Sequence, residues 1–598
     1  MQQSKESAER IAQAQQNKQP GFWEIIQNNS IFSHDAANVA YLTELCESCP
    51  ELAFIMNYNA DNLPKDWAEA QRSSDSEKWL AAYQEELKSL RDMKVFTLVP
   101  RSTVPPSQHV RKGKPVFRIK PDEHGNPIHW KIRHVFKGFE QIFGRDYSKK
   151  TSPTARMESW WIILHIAASL NWDIQQVDVK TAFLYGLLPD DEIQFMEQPI
   201  SFEEAGKEDW VWKLEQSLYS MKQSGCIWNQ TLNESMISWG FQRLVPDYCI
   251  YYRNQDGCIL ITVIHINDFL LVSSLEEENE AFKHQMHMKW ELSALGEARL
   301  CVSIAIKRDC STHSIYLSQT ALINKLVTQF GQKDANPTTL PMVPGLKLQR
   351  PDLSALSEEE RQTLEKLPYR SLVGALIYLA IGTWIDIKVN VQQLTQFLNC
   401  YSFEHWNATI HLIQHLKGSS RSLWLKLGGA NEIKLIGYSD SDWANCPDFQ
   451  RSIGGYAFSL GSGSVSWSAH KQRNVTTSSC EAKYVAVFEA AKEAVWICQL
   501  LRAIGFPQNE PTTIYCDNNA ARILSEDPLL HARVKHMDIK YHYLQECVEN
   551  REVVLKYIST GDNLADTLTK PLERQKFIRL CTFLGLQELP ELSTGGAS

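Results

Sequence analysis

Two runs rich in β-branched and aliphatic residues, Ile259–Ile266 and Phe269–Val272, are separated by little more than Asn267-Asp268. Strands joined so closely can only fold back on one another, so the segment predicts a tight hairpin with the polar pair at its tip or next to it. A second short strand, Asp173 to Val179, carries Asp178 near its end. One strand-end Asp is ordinarily a turn or helix cap. Two acids at the ends of neighbouring strands have another use, because nucleotidyl transfer needs carboxylates converging on paired Mg2+ ions.

Elements of both kinds surround the hairpin. Trp79, Tyr83, Leu87 and Leu90 recur at helical spacing over Trp79–Met93, and Met157–Leu170 reads as a buried helix. Val116–Ile119 and Lys131–Phe139 flank the turn signal Asp122-Glu-His-Gly-Asn126, a hairpin carrying Arg118, Lys120, Lys131, Arg133 and Lys137. Ser354–Leu379 and Glu404–Leu416 read as helical. From Lys434 the pattern changes: strands Leu435–Ser439, Gly455–Leu460 and Val465–Ser468, a long helix Glu481–Ile504, strand Thr512–Cys516, helix Asp538–Val548 and strand Val553–Ile558. That order describes an α+β domain. A helix near Ala36–Leu45 and a polar, Gln-rich start complete the reading.

At 598 residues the chain is long enough for about three or four domains. Its net charge of −9 weighs against nucleic acid until charge is resolved along the chain. Arg101 to Arg156 holds thirteen Lys or Arg against four Asp or Glu, and phosphate binding needs only a local positive surface. The longest apolar stretches, Trp160–Leu170 and Val373–Ile385, fall short of the roughly 20 residues that span a bilayer, and no secretory signal opens the chain. Of fourteen cysteines only Cys46 and Cys49 form a CxxC, with no partner pair at finger spacing, so neither a disulfide framework nor structural zinc is expected.

Five blocks, in order, resemble copia-type retrotransposon reverse transcriptases. The run Leu170–Leu184 resembles their "LDVKTAFL", and Thr262-Val-Ile-His-Ile-Asn-Asp-Phe-Leu-Leu271 their "LLVYVDDLL". Arg370-Ser-Leu-Val-Gly374 resembles "YRSLVG", Ser217-Leu-Tyr-Ser-Met-Lys-Gln223 "SLYGLKQ", and Lys131–Phe139 "KARLVAKGF". The resemblance implies that Asp178 and Asp268 are catalytic metal ligands and that Phe183 is an aromatic gate against a ribose 2′-hydroxyl. It also implies that Gln223 lines the nucleotide pocket and that Lys131 and Arg133 face template or triphosphate. The first Asp of the paired-aspartate hairpin is Asn267 here, and the Tyr before it is His265. A neutral amide removes a full charge beside two cations, and losing about 4 kcal/mol of transition-state stabilisation slows a reaction on the order of a thousandfold. Gln223-Ser-Gly-Cys226 for "QAPR", Thr383-Trp-Ile-Asp-Ile387 for "TRPDI" and Val302-Ser-Ile304 for "LGI" depart similarly.

The C-terminal part resembles the family's ribonuclease H. Tyr438-Ser-Asp-Ser-Asp-Trp443 is similar to "YSDADW", Ser479-Cys-Glu-Ala-Lys-Tyr484 to "STEAEY", Ile514-Tyr-Cys-Asp-Asn518 to "IYCDN" and Asn563-Leu-Ala-Asp566 to "QLAD". These imply Asp440, Glu481, Asp517 and Asp566 as a second set of catalytic metal ligands, with Asp442 the rival to Asp440. Ser439, Asn518 and Asn519 are plausible readers of 2′-hydroxyls. His536 and His542, in a block similar to "KHIDIRYHF", read as substrate contacts or as satisfied structural histidines.

The fold class expected is α+β multidomain: right-hand polymerase fingers and palm, a helical connection, and an RNase H-like mixed sheet with helices. The boundaries expected are a tail or linker over 1–75, fingers and palm over 76–335, connection over 336–430, RNase H-like domain over 431–575 and a C-terminal tail over 576–598. The resemblance implies RNA-directed DNA polymerase with ribonuclease H, using Mg2+ or Mn2+, two ions per centre, with the polymerase centre impaired by Asn267. Its partners would be RNA template, RNA–DNA hybrid and dNTPs, without a membrane, in a cytoplasmic or nuclear setting. A zinc knuckle, an aspartic protease motif and an integrase zinc module are not found, which reads as a fragment or relic of a longer polyprotein. The alternative is a catalytically silent nucleic-acid-binding relic or domesticated protein.

Overall fold

The computed structural model describes residues 63–590, apart from 122–126, 344, 420–421, 430–431, 444–449, 477 and 519–537. The helix expected near Ala36–Leu45, the Cys46/Cys49 pair, the turn at 122–126, Asn519 and His536 therefore lie outside the described residues. The described chain divides into two compact units: 63–154 with 175–297, and 155–174 with 298–590. Helices and sheets are mixed in both, so the fold is α+β and multidomain. No helix among the described residues is long and apolar enough to cross a membrane.

The first unit starts with helices Trp67–Arg72 and Ser76–Asp92. The first of these lies in the segment expected to be a linker. Asp66 caps it, and Trp67 is buried edge-on to Tyr83 with ring centroids 5.0 Å apart. Trp79, Tyr83, Leu87 and Leu90 form the buried stripe that their spacing predicts, packed in one cluster with Phe117, Ile132 and Phe136 of the basic hairpin Gly113–Pro121/Pro127–Phe136. A six-stranded sheet follows, in the order Leu292–Glu297, Asp173–Val179, Asp268–Ser273, Cys258–His265, Ile250–Gln255, Gln242–Arg243. Helices Ser224–Ser238 and Glu276–His287 cover one of its faces, burying Trp228, Leu232, Phe282 and Met286 against Val177, Val179, Phe269 and Leu271.

In the second unit the expected helical stretch Ser354–Leu379 is two helices, Glu358–Lys366 and Tyr369–Gly382. Pro368 divides them: it has no N–H to donate and disfavours helical backbone in the residue before it. With Lys388–Thr395 and Phe403–Ser419 they enclose a core around Leu376, Leu394 and Leu412. A five-stranded sheet has the order Ser464–Lys471, Ile453–Ser459, Ile436–Asp442, Thr512–Cys516, Val553–Tyr557. Its first two pairings are antiparallel and its last two parallel, and the long helix Ser479–Ala503 packs against it. Residues expected as a C-terminal tail instead form helix Arg574–Phe583 and strand Leu586–Glu588, which joins Leu423–Gly428. Phe577, Leu580, Cys581 and Leu584 fall at helical spacing and are buried, which holds the segment down.

Candidate active sites

The hairpin predicted from Ile259–Val272 is present, with His265 opposite Asp268 and a two-residue turn, Ile266-Asn267. Ile266 has φ +59°, a left-handed conformation that is strained for a β-branched residue. Two bonds hold it there: Trp228 Nε1–H donates to the Ile266 carbonyl at 2.7 Å, and Val179 N–H donates to the Asn267 carbonyl at 2.9 Å. The second bond ties the turn to the strand bearing Asp178. The Asn267 side-chain NH2 then donates to Asp178 Oδ2. Burial, together with the charge of Asp178, pushes the Asp268 carboxyl up to about 6. His265 is buried, which pushes its pKa down to about 4 and keeps it neutral at pH 7. Among the described residues Asp178 and Asp268 belong to no group of three or more potential metal ligands.

The other residues expected at this site divide. Phe183 is half-buried on the short turn Ala182–Tyr185, and its carbonyl accepts from Ser217 Oγ at 2.5 Å. Lys131 lies opposite Arg118 in the basic hairpin, and the Arg133 guanidinium sits 5.3 Å from the Tyr219 ring centroid. Gln223 is 1% exposed. Its amide accepts from Gln141 Nε2 at 3.0 Å and donates to the Asp146 carbonyl at 3.3 Å. Those bonds anchor a loop, so in this structure Gln223 does not line an open pocket.

In the second unit Asp440, Asp517 and Asp566 come together, each offering an oxygen within 4.8 Å of the others. Asp440 is on the middle strand, Asp517 one residue past the end of the next, and Asp566 on the turn Leu564–Leu568. Asn563 fixes that turn by donating through Nδ2 to the Ser439 carbonyl at 3.0 Å. Thr569 Oγ1–H donates to Asp440 Oδ2 at 2.6 Å and Thr560 Oγ1–H to Asp517 Oδ2 at 2.8 Å. Glu481 is not in the group. It sits in the first turn of the long helix, its N–H donating to the capping Ser478 Oγ at 3.2 Å.

The side chain that this helix sends to the acids is Lys483. Its Nζ lies 3.2 Å from Asp440 Oδ1 and bonds Asp517 Oδ1. Lys570 Nζ is 3.0 Å from Asp566 Oδ1 and 3.6 Å from Asp440 Oδ2, and Lys576 bonds Asp566 Oδ2. Burial alone would raise the Asp440 pKa, but Lys570, Lys483 and Thr569 together hold it well below the usual carboxylate range. For Asp566 the balance is reversed: burial and the Asp440 charge prevail over Lys576 and Lys570, and its pKa is raised. Ser439 is buried and, one residue from Asp440 on a strand, points to the opposite face of the sheet, which removes it as a reader of substrate. His542 is exposed on helix Asp538–Glu549. A cavity of about 280 Å3 shares Lys570 with the acidic group and is also lined by Lys347, Gln393, Gln396 and Asp442.

The reading of the residues missed Lys483, Lys570, Lys576, Thr560 and Thr569. A signal existed for Lys483, because the block "STEAEY" has glutamate at that position. Thr569 and Lys570 follow Asp566 within one turn.

Residues 93–344 match a family model described as "Reverse transcriptase (RNA-dependent DNA polymerase)". The retrovirus-related Pol polyprotein from transposon TNT 1-94 of Nicotiana tabacum is 34% identical over 522 residues, covering 87% of this chain and 39% of the relative. That from transposon RE1 of Arabidopsis thaliana is 32% identical over 544 residues, covering 90% and 36%. The chain thus spans under two fifths of the length of these relatives. A solved structure of the foamy viral protease-reverse transcriptase in complex with dsDNA aligns at a TM-score of 0.43 and 12% identity, covering 81% of this chain and 83% of that one.

Proposed function

The chain belongs to the reverse transcriptase family of copia-type retrotransposon Pol polyproteins, and on that premise we propose that it binds RNA–DNA hybrid, hydrolyses the RNA strand at its C-terminal centre and does not extend primers. The observation that carries this reading is the convergence of Asp440, Asp517 and Asp566, set against two carboxylates and an amide in the palm.

The C-terminal residues fit a divalent cation. Asp440 Oδ1 and Asp566 Oδ1 are buried in ion-pair contact with an ammonium but accept no well-directed hydrogen bond. Mg2+ or Mn2+ held by the three acids would supply Lewis acidity and an activated water at neutral pH. The rest falls to the chain itself. Thr569 and Thr560 each occupy one oxygen of Asp440 and Asp517 and so fix the rotation of both carboxylates. Lys347 and Lys570 supply positive charge for a phosphodiester strand in the adjoining cavity, and Gln393 and Gln396 supply amides there.

In the palm, Asn267 spends its donor on Asp178 Oδ2, an oxygen that would otherwise face a cation. The basic hairpin with Lys131 and Arg133 still suits a nucleic-acid backbone, which supports binding without synthesis. A second reading, in which both centres are silent and the protein only grips nucleic acid, is favoured by the ammonium of Lys483 among the acids.

Cleavage of a labelled RNA–DNA hybrid in Mg2+ separates the two, with primer extension on an RNA template run alongside. We expect cleavage that falls by a factor on the order of a hundred or more in Asp517→Asn, with hybrid affinity retained and no extension. Extension that disappears in Asp178→Ala would overturn the silent-polymerase half. Tight hybrid binding without cleavage would leave the second reading standing.

A further inference from the structure

Resting on the C-terminal centre as the catalytic one, we propose that Lys483 is a built-in counter-ion that competes with the divalent cation and sets the metal concentration at which the centre loads. Four contacts carry this. Thr569 takes Asp440 Oδ2 and Thr560 takes Asp517 Oδ2, so each carboxylate has one oxygen left, Oδ1 in both cases. Both remaining oxygens meet the same Lys483 Nζ. The ammonium therefore sits where the two acids would share a metal ion. Lys570 and Lys576 bear chiefly on Asp566, Lys570 also reaching the hydroxyl-bonded oxygen of Asp440 at 3.6 Å; of the three lysines only Lys483 joins Asp440 to Asp517, through the oxygens that the threonines leave.

A single charge on a flexible stem neutralises two carboxylates incompletely, and a divalent ion can displace it. The helix start that carries Lys483 is fixed by its Ser478 cap, so the ammonium can leave by rotating its own stem, with no change in fold. Loading is then an exchange of one cation for another, and its midpoint depends on how strongly the lysine holds.

The test is calorimetric titration of the full chain with Mn2+, comparing wild type, Lys483→Gln and Asp517→Asn. Lys483→Gln should bind Mn2+ about tenfold more tightly than wild type, and Lys483→Glu, which adds a fourth carboxylate, more tightly still. In the wild-type protein, Mn2+ should also increase acetylation of Lys483 by a water-soluble acylating reagent, read by mass spectrometry. That second measurement stands even where a variant fails to fold. Equal affinities of wild type and Lys483→Gln, with binding lost in Asp517→Asn, would overturn the counter-ion role and leave the metal centre intact. Absence of binding in every form, Lys483→Glu included, would overturn both this inference and the ribonuclease reading. Acetylation unchanged by Mn2+ in a chain that binds the ion would likewise overturn the counter-ion role.

Discussion

At both candidate centres a side chain of the protein donates to carboxylate oxygens, but the two donors differ in kind. In the palm it is Asn267, a neutral amide on a two-residue turn, bonded to Asp178 and leaving two carboxylates in all. In the C-terminal unit it is Lys483, a charged ammonium on a long stem, placed among three carboxylates. The amide stands on a short side chain of two torsions, and the turn beneath it is pinned through the Trp228 and Val179 bonds. The ammonium can swing away. On the reading proposed above, one centre lacks a ligand and the other holds a competitor. Counting acids in a sequence does not separate these cases, because what matters is which donors reach which oxygens.

The largest effect is expected from restoring the palm carboxylate. Asn267→Asp adds a charge to the turn and removes the donor from Asp178, and on the proposed reading primer extension should rise on the order of a thousandfold over whatever wild type shows. A variant that folds, binds primer–template and still does not extend would break the comparison. It would place the cause away from the turn, with Gln223, turned inward to Gln141 and Asp146, the first residue to examine.

Most elements are legible in the sequence and the candidate centres only in part, for reasons visible at particular residues. Strands Asp173–Val179 and Thr512–Cys516 end where the apolar alternation ends, and the Ile259–Val272 hairpin follows from the absence of room for a loop. Helix Arg574–Phe583 is just as periodic but sits beyond the last recognisable block, where the motifs give no guide to its packing. Glu481 was expected among the acids, and Lys483 was not. On a helix two residues apart means about 200° of rotation, so only one of them can face Asp440, and no motif states which. Gln223 is turned inward for a tertiary reason: its partners, Gln141 and the Asp146 carbonyl, are some eighty residues away in the chain.

Removing one acid from each centre should move stability in opposite directions. Asp440 is buried against Lys483 and Lys570, so Asp440→Asn leaves both ammonium groups less well paired and should cost about 3 kcal/mol at pH 7. Asp268 faces only burial and another carboxylate, and Asp268→Asn should stabilise the chain by about 2 kcal/mol at the same pH. Urea denaturation of the two variants against wild type gives both values, and a shared sign would end the contrast.

The smallest effect is the pH dependence of that last difference, and its sign follows from proton counting. The folded Asp268 carboxyl titrates at about 6, above its ordinary value, so between those limits the folded state holds more of the proton than the unfolded state does. Stability from this group is therefore present at low pH and falls as pH rises through about 6. The advantage of Asp268→Asn over wild type should be near zero at pH 4 and complete by pH 7. Asp440, held below the usual range, has the opposite sign: its contribution is present above the unfolded carboxylate range and is lost as pH falls through its lower folded value. The deficit of Asp440→Asn should accordingly hold from pH 7 down to about pH 4 and shrink only below it. An Asp268→Asn advantage that stays flat across this range would mean that Asp268 is not strained by Asp178, and the contrast in sign with Asp440 would lose its cause.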